Sequence, residues 1–205
     1  MEFERVKDIL LNQLNFTKED VDRISFFHDE LLNYNRKYNL ISKSTENNVW
    51  ERHILDSAQI TKFIDIKSSG IISDLGSGGG FPGIIIAIFT QKSDFHVKLY
   101  EKSSVKRIFL QSIIDKMKLN AKVVDNIKLF SNLYSNYIVC RAFKKIPEIL
   151  AISREIFKKP HKIIILKGKN AQIEINKVLK LQSLRYKMES SITDKESKII
   201  IIDVK

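Results

Sequence analysis

The chain has little of what small folds use to compensate for a poor core. A single cysteine, Cys140, in 205 residues leaves no partner for an internal disulfide and excludes a cysteine-based zinc site. Cys140 lies in an apolar run, so it reads as a buried thiol rather than a nucleophile. The four histidines, His28, His53, His96 and His161, are scattered without metal-ligand spacing, and no metal site is expected. No apolar run approaches the roughly 20 residues of a membrane span. The start, Met1-Glu2-Phe3-Glu4-Arg5, is too charged for a signal peptide. A cytoplasmic protein without a membrane partner is therefore expected, and a monomer. Internal repeats and low-complexity tracts are absent. Glycine is scarce too, with only seven in the chain, yet five of them fall between Ile71 and Gly83.

What is present begins with a hydrophobic fraction of 43%, enough for a sizeable core in one domain with an appendage. The net charge of +11 is unevenly spread. Residues 1–66 carry 9 Lys and Arg against 12 Asp and Glu, and residues 67–205 carry 26 against 12. A polyanion, most simply a nucleic acid, would be drawn to the second part. A general bias of the chain toward Lys and Ile is the plainer account of the same excess.

Residues 2–14 show helical spacing in Phe3, Val6, Ile9 or Leu10, and Leu14. Thr17-Lys18-Glu19-Asp20 then reads as a cap opening a second amphipathic helix with the stripe Val21, Ile24, Phe27, Leu31, Tyr34 and Tyr38. A third helical stretch is expected from Ser44 toward Phe63, and within it Arg52, His53 and Asp56 lie within one turn, either as a solvated face or facing a site. From residue 71 short apolar runs alternate with helical segments, the pattern of a mostly parallel sheet with helices on both faces. Seven strands are expected, at Ile71–Leu75, Phe95–Tyr100, Ala121–Val124, Tyr137–Cys140, His161–Leu166, Leu184–Glu189 and Lys198–Val204. Helices are expected at Ile84–Phe89, Val105–Met117, Ile146–Phe157 and Ala171–Leu181. The expected division is a helical extension over 1–66, packed on a domain over 67–205.

The glycine cluster follows the first of these strands and precedes a helix. Glycines here let a strand turn sharply into a helix with no Cβ to keep a ligand off the backbone, so a nucleotide-like guest is expected. Gly78, Gly80 and Gly83 satisfy the dinucleotide fingerprint G-x-G-x-x-G, which leaves an NAD-dependent oxidoreductase open. The fuller pattern is acid-x-Gly-x-Gly-x-Gly, made by Asp74, Gly76, Gly78 and Gly80, and it is similar to the first motif of Rossmann-like methyltransferases that use S-adenosylmethionine (SAM). A carboxylate there suits the ammonium of a methionine moiety better than a pyrophosphate. Ligands of open α/β sheets sit at the carboxyl ends of the strands, where Asp74, Glu101, Asp125, Asn126, Arg141 and Lys167 fall. Glu101, roughly 20 residues past the glycines, suits ribose hydroxyls of either cofactor.

Six stretches in order then resemble one family. They are Tyr38-Asn39-Leu40, Arg52-His53-Ile54-Leu55-Asp56-Ser57, Asp74 to Gly83, Lys106-Arg107 with Phe109-Leu110, Arg141-Ala142-Phe143, and Leu166-Lys167-Gly168. The chain resembles the bacterial rRNA small subunit methyltransferase G family, also called glucose-inhibited division protein B, from about Asn35 to Lys169. The resemblance implies a Rossmann-like SAM-dependent methyltransferase fold with a short helical N-terminal extension. It also implies methylation of N7 of a guanine in the 530 loop of 16S rRNA, with 16S rRNA or the small ribosomal subunit as partner. Cofactor contacts are implied at Gly76, Phe81 and Arg141, and at a pair after the third strand, aligned with Ile127 and Lys128. There the family usually has a small or apolar residue then Glu after a basic residue, and this chain has Asn126, Ile127 and Lys128. Arg141 and Lys167 are the candidates for holding base or phosphate, and Lys106 and Arg107 for the RNA backbone, each with a plain reading as a surface cation. A module that binds SAM or RNA without turnover would present the same residues.

Overall fold

In a computed structural model the described residues are 2–180 and 183–205, and the Lys128 side chain lies outside the description. Seven strands form one sheet, β1 (Gly70–Leu75), β2 (Phe95–Tyr100), β3 (Ala121–Val124), β4 (Tyr137–Arg141), β5 (His161–Lys167), β6 (Arg185–Ser190) and β7 (Lys198–Val204), in the order β3-β2-β1-β4-β5-β7-β6. The first five are mutually parallel, and β7 runs antiparallel to both β5 and β6. The expected strands are all present, with ends displaced by at most a residue. The chain winds outward from β1 in one direction and resumes at β4 in the other, so a crevice opens at the carboxyl ends of β1 and β4.

Period-two patterning explains the two faces. Tyr137 and Val139 of β4, Ile164 and Leu166 of β5, and Ile199 and Ile201 of β7 belong to one hydrophobic cluster. Their neighbours Ile138 and Cys140, Ile163 and Ile165, and Ile200 and Ile202 belong to the other. Strands buried on both faces need this continuous apolar composition. Edge strand β6 instead exposes Arg185, Lys187 and Glu189 alternately or in part, a charged edge that discourages further pairing. Helices α6 (Ile146–Ile156) and α7 (Ala171–Leu179) cover the second face; the last residue of the expected helix, Leu181, lies outside the described residues.

The first face is covered by α4 (Gly83–Phe89), α5 (Ser104–Met117) and the N-terminal segment. Helices α1 (Glu2–Asn12) and α2 (Lys18–Asn35) open that segment, and α2 starts with a complete capping box in which Asp20 N–H donates to Thr17 Oγ1 and Thr17 N–H to Asp20 Oδ2. Val6, Leu10, Ile24, Phe27 and Leu31 share one core with Ile72, Val97 and Phe109, so apolar packing is continuous across residue 66. The third helical stretch is not one helix. It runs as a 3₁₀ segment (Lys43–Asn48), a π-helical turn (Trp50–Leu55), the short α3 (Asp56–Ala58) and a second 3₁₀ segment (Gln59–Phe63). Polar contacts accompany the irregularity, with the Arg52 carbonyl accepting from Arg141 on β4 and His53 bonded to Thr45 within the stretch itself.

Phe27 shows how the extension supports the loop after β1. It is fully buried, with its ring 5.3 Å from Phe81 and 6.3 Å from Phe109. Phe27→Ala should cost about 3–5 kcal/mol of unfolding free energy in urea denaturation. A loss below about 1 kcal/mol would show that the extension is not integral to the core.

Candidate active site

The loop after β1 is held from below and from one side. Gly76 and Ser77 N–H groups donate to the Tyr100 carbonyl at 2.9 and 3.1 Å. Gly78 N–H donates to Glu101 Oε2 at 2.9 Å, and Ser103 N–H to Glu101 Oε1 at 2.8 Å. Gly76 and Gly78 have φ of +75° and +57°, conformations that favour glycine. Asp74 is fully buried beneath the loop, where Oδ2 accepts from Gly83 N–H at 3.0 Å while Oδ1 has no hydrogen-bond partner among the described residues. Burial pushes its carboxyl up to about 7, against the bond from Gly83 and the charge of Arg141. A Cβ on Gly83 would lie 2.5 Å from Asp74 Oδ2 and 2.1 Å from Leu99, so only glycine lets the helix start this close to the strand.

A cleft of about 650 Å³ opens above this loop, a size suited to a small-molecule cofactor. Of the expected cofactor residues, Gly76, Gly78, Phe81, Glu101, Ile127 and Arg141 line it. Asp74 and Gly80 do not line it, since Asp74 lies under the loop and Gly80 faces Phe27, Ile84 and Leu110 in the core. The Lys128 side chain lies outside the described residues. Leu40, Ile41, Tyr100, Ala142 and Phe143 also line the cleft and were not expected there. Tyr100 precedes Glu101, and Ala142-Phe143 follow Arg141, so the rule for strand ends, extended by a residue or two, finds three of them. Electrostatics separates the two cofactors. The N–H of Gly78 already faces the Glu101 carboxylate, and a pyrophosphate placed on this loop would meet that charge. Ribose hydroxyls can still donate to the remaining lone pairs of Glu101.

A second cleft of about 500 Å³ adjoins the first, and the two share His53, Arg141 and Ala142. Arg141 is held from several sides. Its Nη1 donates to the Arg52 carbonyl at 2.8 Å and lies 3.3 Å from Asp56 Oδ2, its Nη2 meets His53 Nδ1, and the guanidinium sits 5.3 Å from the centre of the Phe81 ring. Burial lowers the pKa of Arg141, and Asp56 opposes the shift. Because an arginine only donates, His53 Nδ1 must accept. Its Nε2–H then donates to Thr45 Oγ1 at 2.8 Å, and Thr45 Oγ1 in turn donates to the Ser42 carbonyl. Burial, aided by Arg141 and Arg52, pulls the His53 pKa down to about 3, in keeping with this neutral tautomer.

Other predicted cations divide. Lys106 lines the first cleft. Arg107 is half-buried and engaged by its own protein, donating to the Glu101 and Lys102 carbonyls and to Asp125. Lys167 borders the second cleft, but its Nζ donates to the Lys144 carbonyl at 2.6 Å and pairs with Glu174 at 2.9 Å. Cys140 is buried and burial pushes its thiol up, which suits a packing role. Among the described residues no cluster could hold a metal, and no helix is long and apolar enough to cross a membrane.

Strand order, glycine loop and strand-end acid together define the fold class of Rossmann-like methyltransferases. Among solved structures the chain is similar to a SAM-dependent methyltransferase from Aquifex aeolicus, with a TM-score of 0.60 at 12% identity over 83% of this chain and 97% of that one. The family model for rRNA small subunit methyltransferase G matches residues 20–201. Ribosomal RNA small subunit methyltransferase G of Pelagibacter ubique is 39% identical over 94% of this chain and 92% of that protein. That of Rickettsia bellii is 33% identical over 90% and 93%. The chain belongs to the rRNA small subunit methyltransferase G family.

The buried carboxyl gives a signed pH dependence. Folded Asp74 keeps its proton up to about 7, while the unfolded chain releases it near 3.8, so its contribution to stability is present below pH 3.8 and declines as pH rises to about 7. His53 acts in the opposite sense, costing stability as pH falls from 6.5 toward about 3. In urea unfolding across this range wild type should lose stability relative to Asp74→Asn as pH rises. A pH-independent difference would mean that Asp74 is ionised in the fold.

Proposed function

We propose that the protein transfers the methyl group of SAM to N7 of a guanine in the 530 loop of 16S rRNA. The observation that carries the reading is the pair of clefts meeting at Arg141, in a chain of this family. SAM, when bound, supplies an electrophilic methyl on a sulfonium. The first cleft fits it: Glu101 offers lone pairs to ribose hydroxyls, Ile127 and Phe81 offer apolar surface to an adenine, and Gly76 leaves the backbone open. Asp74, beneath the loop, adds the field of a carboxyl group rather than a direct contact.

Guanine N7 has a free lone pair and no proton to lose, so no general base is required, and the buried neutral His53 is consistent with that. What the residues supply is position. Arg141 suits guanine O6 and must leave N7 free, since a donor on N7 would occupy the attacking lone pair. Positive charge moves onto the purine during transfer, and Asp56, 3.3 Å from Arg141, offsets the guanidinium there. The cations Arg52, Lys169 and Lys198 around the second cleft suit RNA phosphates, as does Lys106 at the first. In this reading residues 1–66 are a helical extension on a methyltransferase domain over 67–205, and the protein works as a cytoplasmic monomer on 16S rRNA or the small subunit.

With labelled SAM and small-subunit rRNA or 30S particles from cells lacking this activity, a nucleoside digest should yield 7-methylguanosine. Arg141→Ala should lower methyl transfer by about 100-fold. SAM binding without transfer to either substrate would leave a binding module instead.

A further inference from the structure

We infer that Lys167 and Glu174 are positioning residues that set the shape of the cofactor cleft through the 142–145 turn, and that neither holds the RNA. The inference rests on the cofactor reading of that cleft given above. The two side chains are only 14% and 15% exposed and face each other at 2.9 Å. Lys167 Nζ also donates to the Lys144 carbonyl at 2.6 Å. Glu174 Oε2 accepts the Ile146 N–H at 2.8 Å. One ion pair thus grips two backbone atoms of the same turn, from β5 and from α7.

The turn needs such a grip. Ile146 begins α6, where the first N–H groups have no acceptor in their own helix, and the N-cap residue Lys145 makes no side-chain cap bond. Glu174 supplies the missing cap from another helix. Upstream, Ala142 has φ of +50°, a left-handed conformation that a residue with a Cβ keeps only when its surroundings impose it. Between these two points stands Phe143. Its ring lies so close over Gly76 that a Cβ there would come within 2.5 Å of it, and both residues line the cofactor cleft. Force passes from the ion pair to the turn, from the turn to the Phe143 ring, and from the ring to the wall of the cleft.

Lys167's ammonium is already engaged inside the protein, so using it on a phosphate would leave a mostly buried Glu174 carboxylate uncompensated. Calorimetry with SAM should therefore show affinity weakened by about tenfold in Lys167→Met, and in Glu174→Gln, which keeps an acceptor for Ile146 and loses only the charge. The double variant should lose little beyond either single change. RNA affinity and its salt dependence should stay within about twofold of wild type, because no phosphate contact is removed. Thermal unfolding identifies the folded variants, and binding is measured well below the transition; should Lys167→Met not fold, Glu174→Gln alone decides. Folded variants with unchanged SAM affinity, or with RNA affinity and salt slope reduced while SAM affinity is intact, overturn the inference. Wild type failing to bind SAM would instead overturn the cofactor reading.

Discussion

The Arg141 guanidinium joins parts of the chain that are far apart in sequence. It is carried on the end of β4, yet the groups that hold it are the Arg52 carbonyl, Asp56 and His53, some 85 to 89 residues earlier. Burying a cation requires acceptors, and the irregular segment from Lys43 to Phe63 supplies three of them. A regular helix would present its carbonyls along its own axis. The mixture of 3₁₀, π and α turns instead turns Arg52 O toward β4 and sets His53 between Thr45 and Arg141. Phe81 closes the arrangement, with His53 stacked at 5.1 Å on one side and Phe27 of α2 at 5.3 Å on another. The N-terminal helices therefore act on the site by fixing the loop aromatic against which Arg141 rests.

The glycine loop works in a way its fingerprint does not announce. Glycine-rich turns before helices usually offer N–H groups to an anion. In this loop Gly76 and Ser77 donate to Tyr100, Gly78 donates to Glu101, and Gly80 donates to Ser77. What the glycines provide is closeness: room for Phe143 over Gly76, for Phe27 beneath Gly80, and for Asp74 against Gly83. A loop with a carboxylate on its amide favours a guest that is cationic or hydroxyl-rich over one that is polyanionic. That distinction lies in hydrogen-bond partners, and a pattern of glycines alone does not contain it.

How legible each feature was in the sequence depends on the kind of physics behind it. Strands and helices of the second part were legible because burial on two faces forces apolar runs, and a period of two separates the faces, as in Ile163 to Leu166. Gly76, Glu101 and Arg141 were legible as lining one crevice because the turn and the strand ends put them there, whereas Phe81 came only with the family resemblance. The inward pairing of Lys167 with Glu174 and the pairing of Arg107 with Asp125 were not legible, since a sequence counts charges without saying which ones meet. The break-up of the third helix was equally hidden. Its sequence has helical periodicity, and the tertiary contact from Arg141 to the Arg52 carbonyl is not written in it.

The two clefts also differ in what fixes their walls. Around the first cleft the important groups are backbone amides and closely packed rings, a surface whose shape is set by the core beneath it. Around the second cleft they are charged side chains on strand ends and loops, among them Arg52 and Asp194 paired loosely at 3.6 Å. Exposed pairs of this kind are worth little and exchange partners readily. A rigid wall suits a small molecule whose reactive atom must stand in one place. An adjustable charged rim suits a polyanion whose backbone has to be accommodated over a range of shapes. Arg141 and His53 stand on the border between the two, tied into the rigid side by Phe81 and into the charged side by Asp56, so the two clefts share one fixed wall.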